Sequence, residues 1–437
     1  MGYNREEYQQ KLQSAAQAVR LVRSGDSVFI GFVSSISYTL ANALWERRKE
    51  LENILVSSSN CLAPTPLYMD PSPNPFEVCT PFLGPGERTA GKTGHPLHFT
   101  SVHLSQVDVW VKKTCRPTVA LFAVSPPDED GYMSYGPTGC CVNEYVKEMA
   151  DRIIVHVNRN VPYVTGQDCR IHVSEVDAIV EEDEELPELP EDQVDAATEK
   201  ISDLIMDLIP DGATIQLGIG KLSTAIGYGL RNRNDLGIHS ELFSEPMMHL
   251  IRNGNITNKN KGFMDYKSVF AFAMGSRELY RFMDHNDELY GAPFPWVNDS
   301  RNVARNKRMI SINSAMAVDL FGQVAADSMG WKQHSAVGGQ IDFVKGAQWS
   351  EGGKSIIATA SSFMKKGERQ SKIVLNFPVG TAITTPRSEV QYIATEYGCV
   401  NLKVLNMADR VRAMIGLAHP DFRAQLADEA RYHKLID

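Results

Sequence analysis

Leu21-Val-Arg-Ser-Gly25-Asp-Ser-Val-Phe-Ile-Gly31 returns in the second half of the chain as Leu208-Ile-Pro-Asp-Gly212-Ala-Thr-Ile-Gln-Leu-Gly218. In both copies a turn glycine precedes a short apolar strand, a second glycine follows it, and an apolar helix-like run comes next, Tyr38 to Leu44 in one and Ala225 to Leu230 in the other. Each copy therefore reads as strand, loop and helix. A weaker echo supports the repeat. Asp128-Glu-Asp-Gly131-Tyr follows Gly25 at nearly the distance at which Asp319-Leu-Phe-Gly322-Gln follows Gly212. Two echoes in the same order predict two copies of one α/β domain.

Outward from the repeat, strand-like runs recur at Ser27–Ile30, Asn53–Ser57, Val119–Val124, Arg152–Val157, Ala213–Leu217, Met309–Ile312, Ser355–Ala360 and Ile373–Leu375, with helix-sized intervals between them. That alternation predicts largely parallel sheets flanked by helices, with ligands at the carboxyl ends of the strands, where both repeated glycines fall. Glu181-Glu-Asp-Glu-Glu-Leu-Pro187-Glu-Leu-Pro190-Glu-Asp192 is too acidic and too proline-rich to continue an element. It reads as a linker, giving an amino-terminal domain over 1–185 and a carboxyl-terminal one over 193–437.

With 437 residues, 43% of them apolar and 22% charged, the chain can fill large cores and is not a disordered sequence. Its 53 acidic and 44 basic side chains leave a formal charge of −9, so no cationic excess meets a nucleic-acid backbone or an anionic bilayer. No apolar run spans a membrane, and Met1 to Glu7 is polar, so the expected location is the cytoplasm. Seven cysteines without a C-x-x-C pair suggest reduced, mostly buried thiols.

Gly86-Glu-Arg-Thr-Ala-Gly91-Lys92-Thr93 matches the phosphate-binding loop pattern letter for letter. Such a loop needs a strand running in and a helix opening at the lysine. Here Pro81 and Pro85 precede it, and Gly94 and Pro96 are expected to break any helix after one turn. The Walker reading is rejected in favour of a basic loop in which Arg88 and Lys92 could touch an anion. Gln216-Leu217-Gly218-Ile219-Gly220 starts like a dinucleotide fingerprint, but Ser223 stands where the third glycine belongs. Two readings stay open: a plain tight turn, or backbone amides and a helix dipole facing a phosphate or carboxylate. Gly338-Gly339 reads either as a bulge or turn, or as two amides free to approach an oxyanion. By composition alone His239-Ser240-Glu241 looks like surface near a strand end. Neither His249 nor His285 completes a metal set, the looser group His95, His98 and His103 is broken by Pro96, and no metal is expected.

Taken together, Gln216-Leu-Gly-Ile-Gly220, Gly237-Ile-His-Ser-Glu241, Ser311-Ile-Asn313, Val337-Gly-Gly339-Gln and Thr384-Thr-Pro-Arg387 resemble the acetyl-CoA hydrolase/transferase family, most nearly its 4-hydroxybutyrate and butyrate:acetate CoA-transferases. Val124-Ser-Pro-Pro-Asp-Glu-Asp-Gly-Tyr132 and Ile171-His-Val-Ser-Glu-Val-Asp177 extend the likeness over nearly the whole chain. The resemblance implies two α/β domains of the class I CoA-transferase type with the active site in the cleft between them. It makes Glu241 the covalent nucleophile and Gly338 and Gly339 the oxyanion-hole amides. Gln216, Leu217, Gly218, Ile219 and Gly220 would lie along CoA, Asn313 would border the thioester, and Ser361 would contact CoA. It further implies CoA and a short-chain acyl-CoA as substrates with a carboxylate acceptor such as acetate, no permanent cofactor, and a homodimer or homotetramer. The alternatives are a hydrolase on the same scaffold, and a CoA-binding regulator, which has no need of a carboxylate at position 241. The chain departs from close relatives at Ser244-Glu245-Pro246, where they have Ser-Asp-Gly, at Lys221, and at Gly31-Phe-Val-Ser-Ser35, which lacks a second glycine.

Overall fold

A computed structural model describes residues 5–63, 65–191 and 193–437. Met1–Asn4 and the end of the acidic stretch at Asp192 lie outside these, so the polar start is only partly described. Two compact units form, one of residues 1–190 with 269–297 and the other of 191–268 with 298–437.

The first unit is built on a sheet of seven parallel strands. In chain order these are β1 (Ser27–Phe32), which helix α1 (Tyr38–Glu46) follows, β2 (Ile54–Ser59), β3 (Phe76–Thr80), helix α2 (Pro85–Thr93), β4 (Leu97–Phe99), β5 (Val119–Val124), β6 (Arg152–Val157) and β7 (Ala178–Glu181). Their spatial order is β4-β3-β2-β1-β5-β6-β7. Strands covered on both faces read as continuous apolar runs. Val119-Ala-Leu-Phe-Ala-Val124 is buried throughout, and the core of Val28, Ile30, Leu40, Leu44, Val56, Val119, Leu121 and Ile154 packs α1 against the sheet.

In the second unit, helix α3 (Ala196–Met206) leads into β8 (Thr214–Leu217), helix α4 (Lys221–Gly229), β9 (Gly237–Phe243), helix α5 (Glu245–Arg252), β10 (Met309–Ser314), helix α6 (Gln340–Trp349), β11 (Lys354–Ala358), β12 (Tyr392–Thr395) and β13 (Gly398–Asn401). These strands make six of the eight in their sheet, in the order β9-β8-β10-β11-β12-β13, parallel until the antiparallel last pair; Ser268–Ala273 and then Leu289–Gly291 continue the sheet beyond β9. In both units the first strand stands between the second, on one side, and a later strand on the other. This repeats the strand reversal that opens a crevice at the carboxyl edge of a doubly wound sheet. The sequence repeat is therefore a repeat of topology. Its four turn glycines, Gly25, Gly131, Gly212 and Gly322, all have φ between 69° and 90°, which residues with a Cβ adopt at a cost.

Residues 269–297 depart from the continuous boundaries 1–185 and 193–437. They group with the first unit, to which part of their backbone is bonded. Gln167 N donates to Gly291 O (2.9 Å), Gly291 N to Thr165 O (3.0 Å), His285 N to Tyr163 O (2.9 Å) and Phe294 N to Cys141 O (3.0 Å). The acidic stretch is likewise no free linker. Glu184 caps α1 by accepting from Tyr38 N (3.2 Å) and Thr39 N (2.6 Å), and Arg277 pairs with Glu185 (2.8 Å). The eighth expected strand, Ile373–Leu375, shrinks to Ile373–Val374 in a small sheet with Ala317–Asp319 and Val324–Ala325.

The phosphate-loop look-alike is a helix, not a basic loop. α2 opens at Pro85 and closes on left-handed Gly94, so Lys92 sits in its last turn, among carbonyl ends rather than free amides. The buried Glu87 carboxylate instead accepts from the N-cap Gly84 N (3.0 Å) and, from outside the helix, Cys61 N (3.1 Å). Arg88 donates to Leu83 O (2.7 Å).

Candidate active site

β9 carries the segment Gly-Ile-His-Ser-Glu-Leu-Phe. Side chains alternate across a strand, so His239 and Glu241 share one face while Ser240 points to the other. Contrary to the surface expectation, His239 is fully buried, its ring centroid 6.2 Å from that of Phe263 and 6.3 Å from that of Phe343 on α6. Two residues further along the same face, Glu241 meets the amino terminus of that helix.

α6 opens on Gly338-Gly339. Gly338 has φ 59°, and Gly339 is the N-cap, with no side chain of its own to cap the helix. The backbone amide of Gly339 bonds the Glu241 carboxylate, and Asn298 Nδ2 donates to Glu241 Oε2 at 2.6 Å. The fit is close: a Cβ on Gly339 would stand 2.0 Å from Glu241 Oε2 and 2.2 Å from Asn298 Nδ2. Glycine is required here by approach, not by φ. Asn298 arrives because the helix Ser300–Ala304 lies on α6. Gly346 admits Val303 so tightly that a Cβ would come within 2.5 Å, and Ser300 Oγ donates to Asp342 O (2.7 Å). Asn298 Oδ1 is left buried with no partner among the described residues.

These contacts compete electrostatically. Burial pushes the Glu241 carboxyl up from 4.5 to about 7. The Asn298 amide pulls it down, the charge of Asp342 in the first turn of α6 pushes it up, and the Gly339 N–H pulls it down. The result is a half-buried carboxylate poised near neutrality, held by two donors and short of solvation, a state in which it is a better nucleophile than one in water.

The other expected residues line the carboxyl edge of the same sheet. Gln216 and Asn313, at the ends of β8 and β10, exchange hydrogen bonds through their amides (3.3 and 3.1 Å). The Leu217 side chain is inside the core, which leaves only its backbone for any ligand contact, whereas Ile219 is exposed. The N-cap Gly220 has φ 95° and needs to be glycine. Gly218 does not have positive φ, and a Cβ there meets nothing closer than 3.7 Å, so the conformational argument holds for Gly220 alone. Ser361 is buried and committed to Glu396, donating through Oγ (2.6 Å) and N (2.8 Å), which leaves its hydroxyl no hydrogen for another acceptor. Lys221 pairs with Asp195. Pro246 fits the first turn of α5, where an amide hydrogen is dispensable, and closes against Gly227. Asn298 and Asp342 are neighbours of Glu241 to which sequence reasoning gave no role. No described group of His, Cys, Asp and Glu could hold a metal ion, and no described helix is long and apolar enough to cross a membrane.

A doubly wound parallel α/β fold here carries a desolvated carboxylate at a helix amino terminus. The profiles of the acetyl-CoA hydrolase/transferase amino-terminal and carboxyl-terminal domains match residues 1–189 and 275–430. A butyryl-CoA:acetate CoA-transferase from Anaerostipes caccae is 37% identical over 98% of this chain and 97% of its own, and a 4-hydroxybutyrate coenzyme A transferase from Clostridium kluyveri is 36% identical over 97% of each. The crystal structure of RipA from Yersinia pestis superposes with a TM-score of 0.93 at 34% identity, covering 99% of both chains. This chain belongs to the acetyl-CoA hydrolase/transferase family.

Proposed function

We propose that the chain is a CoA-transferase that moves CoA from a short-chain acyl-CoA, such as butyryl-, 4-hydroxybutyryl- or acetyl-CoA, to a small carboxylate such as acetate, with Glu241 carrying the CoA between half-reactions. The observation that carries this reading is the Glu241 carboxylate, desolvated and held by Asn298 Nδ2 and Gly339 N–H. Full-length similarity to chains named for that chemistry supports it.

In this mechanism Glu241 attacks the thioester carbonyl and expels CoA thiolate, leaving an acyl-glutamyl anhydride. The thiolate then attacks the glutamyl carbonyl, releasing the first carboxylate and leaving a glutamyl-CoA thioester. The acceptor carboxylate reverses the sequence and leaves as acyl-CoA. One negative charge passes along throughout, so no net proton, electron or metal is required. When the glutamyl carbonyl is attacked, its own oxygen becomes the oxyanion; Asn298 Nδ2 already donates to Oε2, and the Gly339 backbone lies against the same oxygen. One such donor stabilises an oxyanion by about 3 kcal/mol. In this reading Gly339 serves the enzyme's own carbonyl, one of the oxyanions for which the sequence offered the Gly338-Gly339 amides. CoA is a substrate, and no permanent cofactor enters the reading. A cytoplasmic homo-oligomer is part of the proposal.

The test is incubation with acyl-CoA and no acceptor, followed by intact mass and peptide mapping. The expected product carries CoA on the peptide containing Glu241. An adduct on a cysteine, or none while turnover is normal, would remove Glu241 from this role. A rate that does not depend on the acceptor would assign the hydrolase reaction instead.

A further inference from the structure

The four residues Ala336–Gly339 hang between two anchors that lead to the same pair of side chains. Upstream, the backbone carbonyl of Asp327 accepts from His334 N (2.8 Å) and Ser335 N (3.1 Å), while the Asp327 carboxylate is bonded by the Thr384 hydroxyl and by Gln333 Nε2 (2.9 Å). Downstream, Gln340, the first residue of α6, uses both ends of its buried amide. Nε2 donates to Ser314 O (2.9 Å) at the end of β10, and Oε1 accepts from the Thr385 hydroxyl (2.9 Å).

The threonines are themselves fixed. Thr384 N and Thr385 N both donate to Val324 O (2.8 and 3.2 Å), Val324 N donates back to Thr385 O (3.0 Å), and Thr384 Oγ accepts from Ala326 N (2.8 Å). Val324–Ala325 belongs to the small sheet with Ala317–Asp319 and Ile373–Val374. Two adjacent, buried hydroxyls on a sheet-backed loop therefore hold both ends of the glycine segment. The demand for such support is visible at the far side, where Gly339 has no room for a carbon atom beside Glu241 and no side chain to limit its own φ and ψ.

We infer that Thr384 and Thr385 are positioning residues, holding the Gly338–Gly339 segment so that the Gly339 amide meets the Glu241 carboxylate, Thr384 through Asp327 at the upstream end and Thr385 through Gln340 at the downstream end. The inference rests on the proposed role of Glu241. A buried hydroxyl, Gln340 and an amide form one chain, so losing the hydroxyl frees the Gln340 amide to turn and lets the amino terminus of α6 drift. A misplacement on the order of 1 Å at such a donor costs about 100-fold in rate.

The experiment compares Thr385→Val, which keeps shape and removes the hydroxyl, with Thr385→Ser, which restores it, and Thr384→Val with Thr384→Ser. Each purified protein is measured for kcat, KM for acyl-CoA, the pH midpoint of kcat/KM and melting temperature. For both valine variants kcat is expected to fall at least ~10-fold with KM within ~2-fold. The midpoint should move upward because the carboxylate has lost part of an amide donor, and the serine variants should return to the native midpoint. A merely structural hydroxyl would lower the melting temperature and the active fraction without moving the midpoint. That result, or native kcat and midpoint in the valine variants, overturns the inference. If Thr385→Val does not fold, the Thr384 pair decides by the same criteria. A fully active Glu241→Gln variant would instead overturn the reading of Glu241 itself, a pattern the threonine variants cannot produce.

Discussion

Asn298 Nδ2 stands 2.6 Å from Glu241 Oε2, so the carboxylate proposed as nucleophile is restrained by a donor that would also suit the oxyanion formed when its own carbonyl is attacked. Asn298→Leu is expected to lower kcat by about 100-fold or more while the protein still forms some glutamyl-CoA adduct, since the carboxylate and Gly339 remain. Stopped single-turnover reactions followed by mass spectrometry check this. Native kcat in Asn298→Leu would show that the side chain only packs.

Glu241→Asp keeps the carboxylate but withdraws it by about 1.5 Å from both donors, which predicts a loss of orders of magnitude in acceptor-dependent transfer. The space left is about one methylene, enough with small shifts for water to approach. Hydrolysis of acyl-CoA should therefore persist or rise while transfer collapses. Glu241→Gln should lose both activities, and thiol release assayed with and without acetate separates the outcomes.

The fold was legible where backbone geometry dictates residue type. Gly25, Gly131, Gly212 and Gly322 announced turns that require positive φ, and the all-apolar run Val119–Val124 and the mostly apolar run Arg152–Val157 gave strands whose ends match the structure. β9 was not legible as a buried strand, because His239 and Ser240 are polar letters in fully buried positions, the first packed among rings from distant elements and the second donating to Leu217 O. Asn298 carried no local signal at all. It reaches Glu241 through the packing of Ser300–Ala304 on α6, a contact set by the missing side chain of Gly346, and long-range packing of this kind leaves no periodic mark. Ser361 was assigned by resemblance, and the structure shows its hydroxyl hydrogen engaged by Glu396.

Glycine substitutions should separate two kinds of constraint. Gly339→Ala places a carbon 2.0 Å from Glu241 Oε2, so transfer should be abolished, with acyl-CoA binding by calorimetry largely kept. Gly220→Ala, at φ 95°, should weaken CoA binding, whereas Gly218→Ala has ordinary room and should cost little before CoA is bound. Equal loss of binding in Gly218→Ala and Gly220→Ala would show that CoA itself fills the space beside Gly218.

The phosphate-loop look-alike makes a negative prediction. With Lys92 in the last turn of α2, Lys92→Ala should leave acyl-CoA turnover unchanged within ~2-fold, and no ATP hydrolysis should be detectable in either protein. ATP hydrolysis that disappears in Lys92→Ala would contradict the placement of that lysine.

The Glu241 carboxyl, raised to about 7, ties activity and stability to pH in opposite directions. Only the ionised form attacks, so kcat/KM should rise through a midpoint near 7. Asp342→Asn, which removes the neighbouring charge that pushes the carboxyl up, should move that midpoint down. For stability, the folded protein holds the Glu241 proton between the ordinary value of 4.5 and about 7, whereas the unfolded chain has already released it. The native state binds more protons in that window, so the stability this group supplies is intact below 4.5 and is lost as pH rises through 7. Glu241→Gln removes the dependence and should therefore gain stability relative to the native protein on going from pH 5 to pH 8, by on the order of 1 kcal/mol or more. Urea melts of both proteins at the two pH values measure it. A difference that does not grow with pH would mean that Glu241 is ionised in the free enzyme at pH 5, and the kcat/KM midpoint would then have to belong to another group.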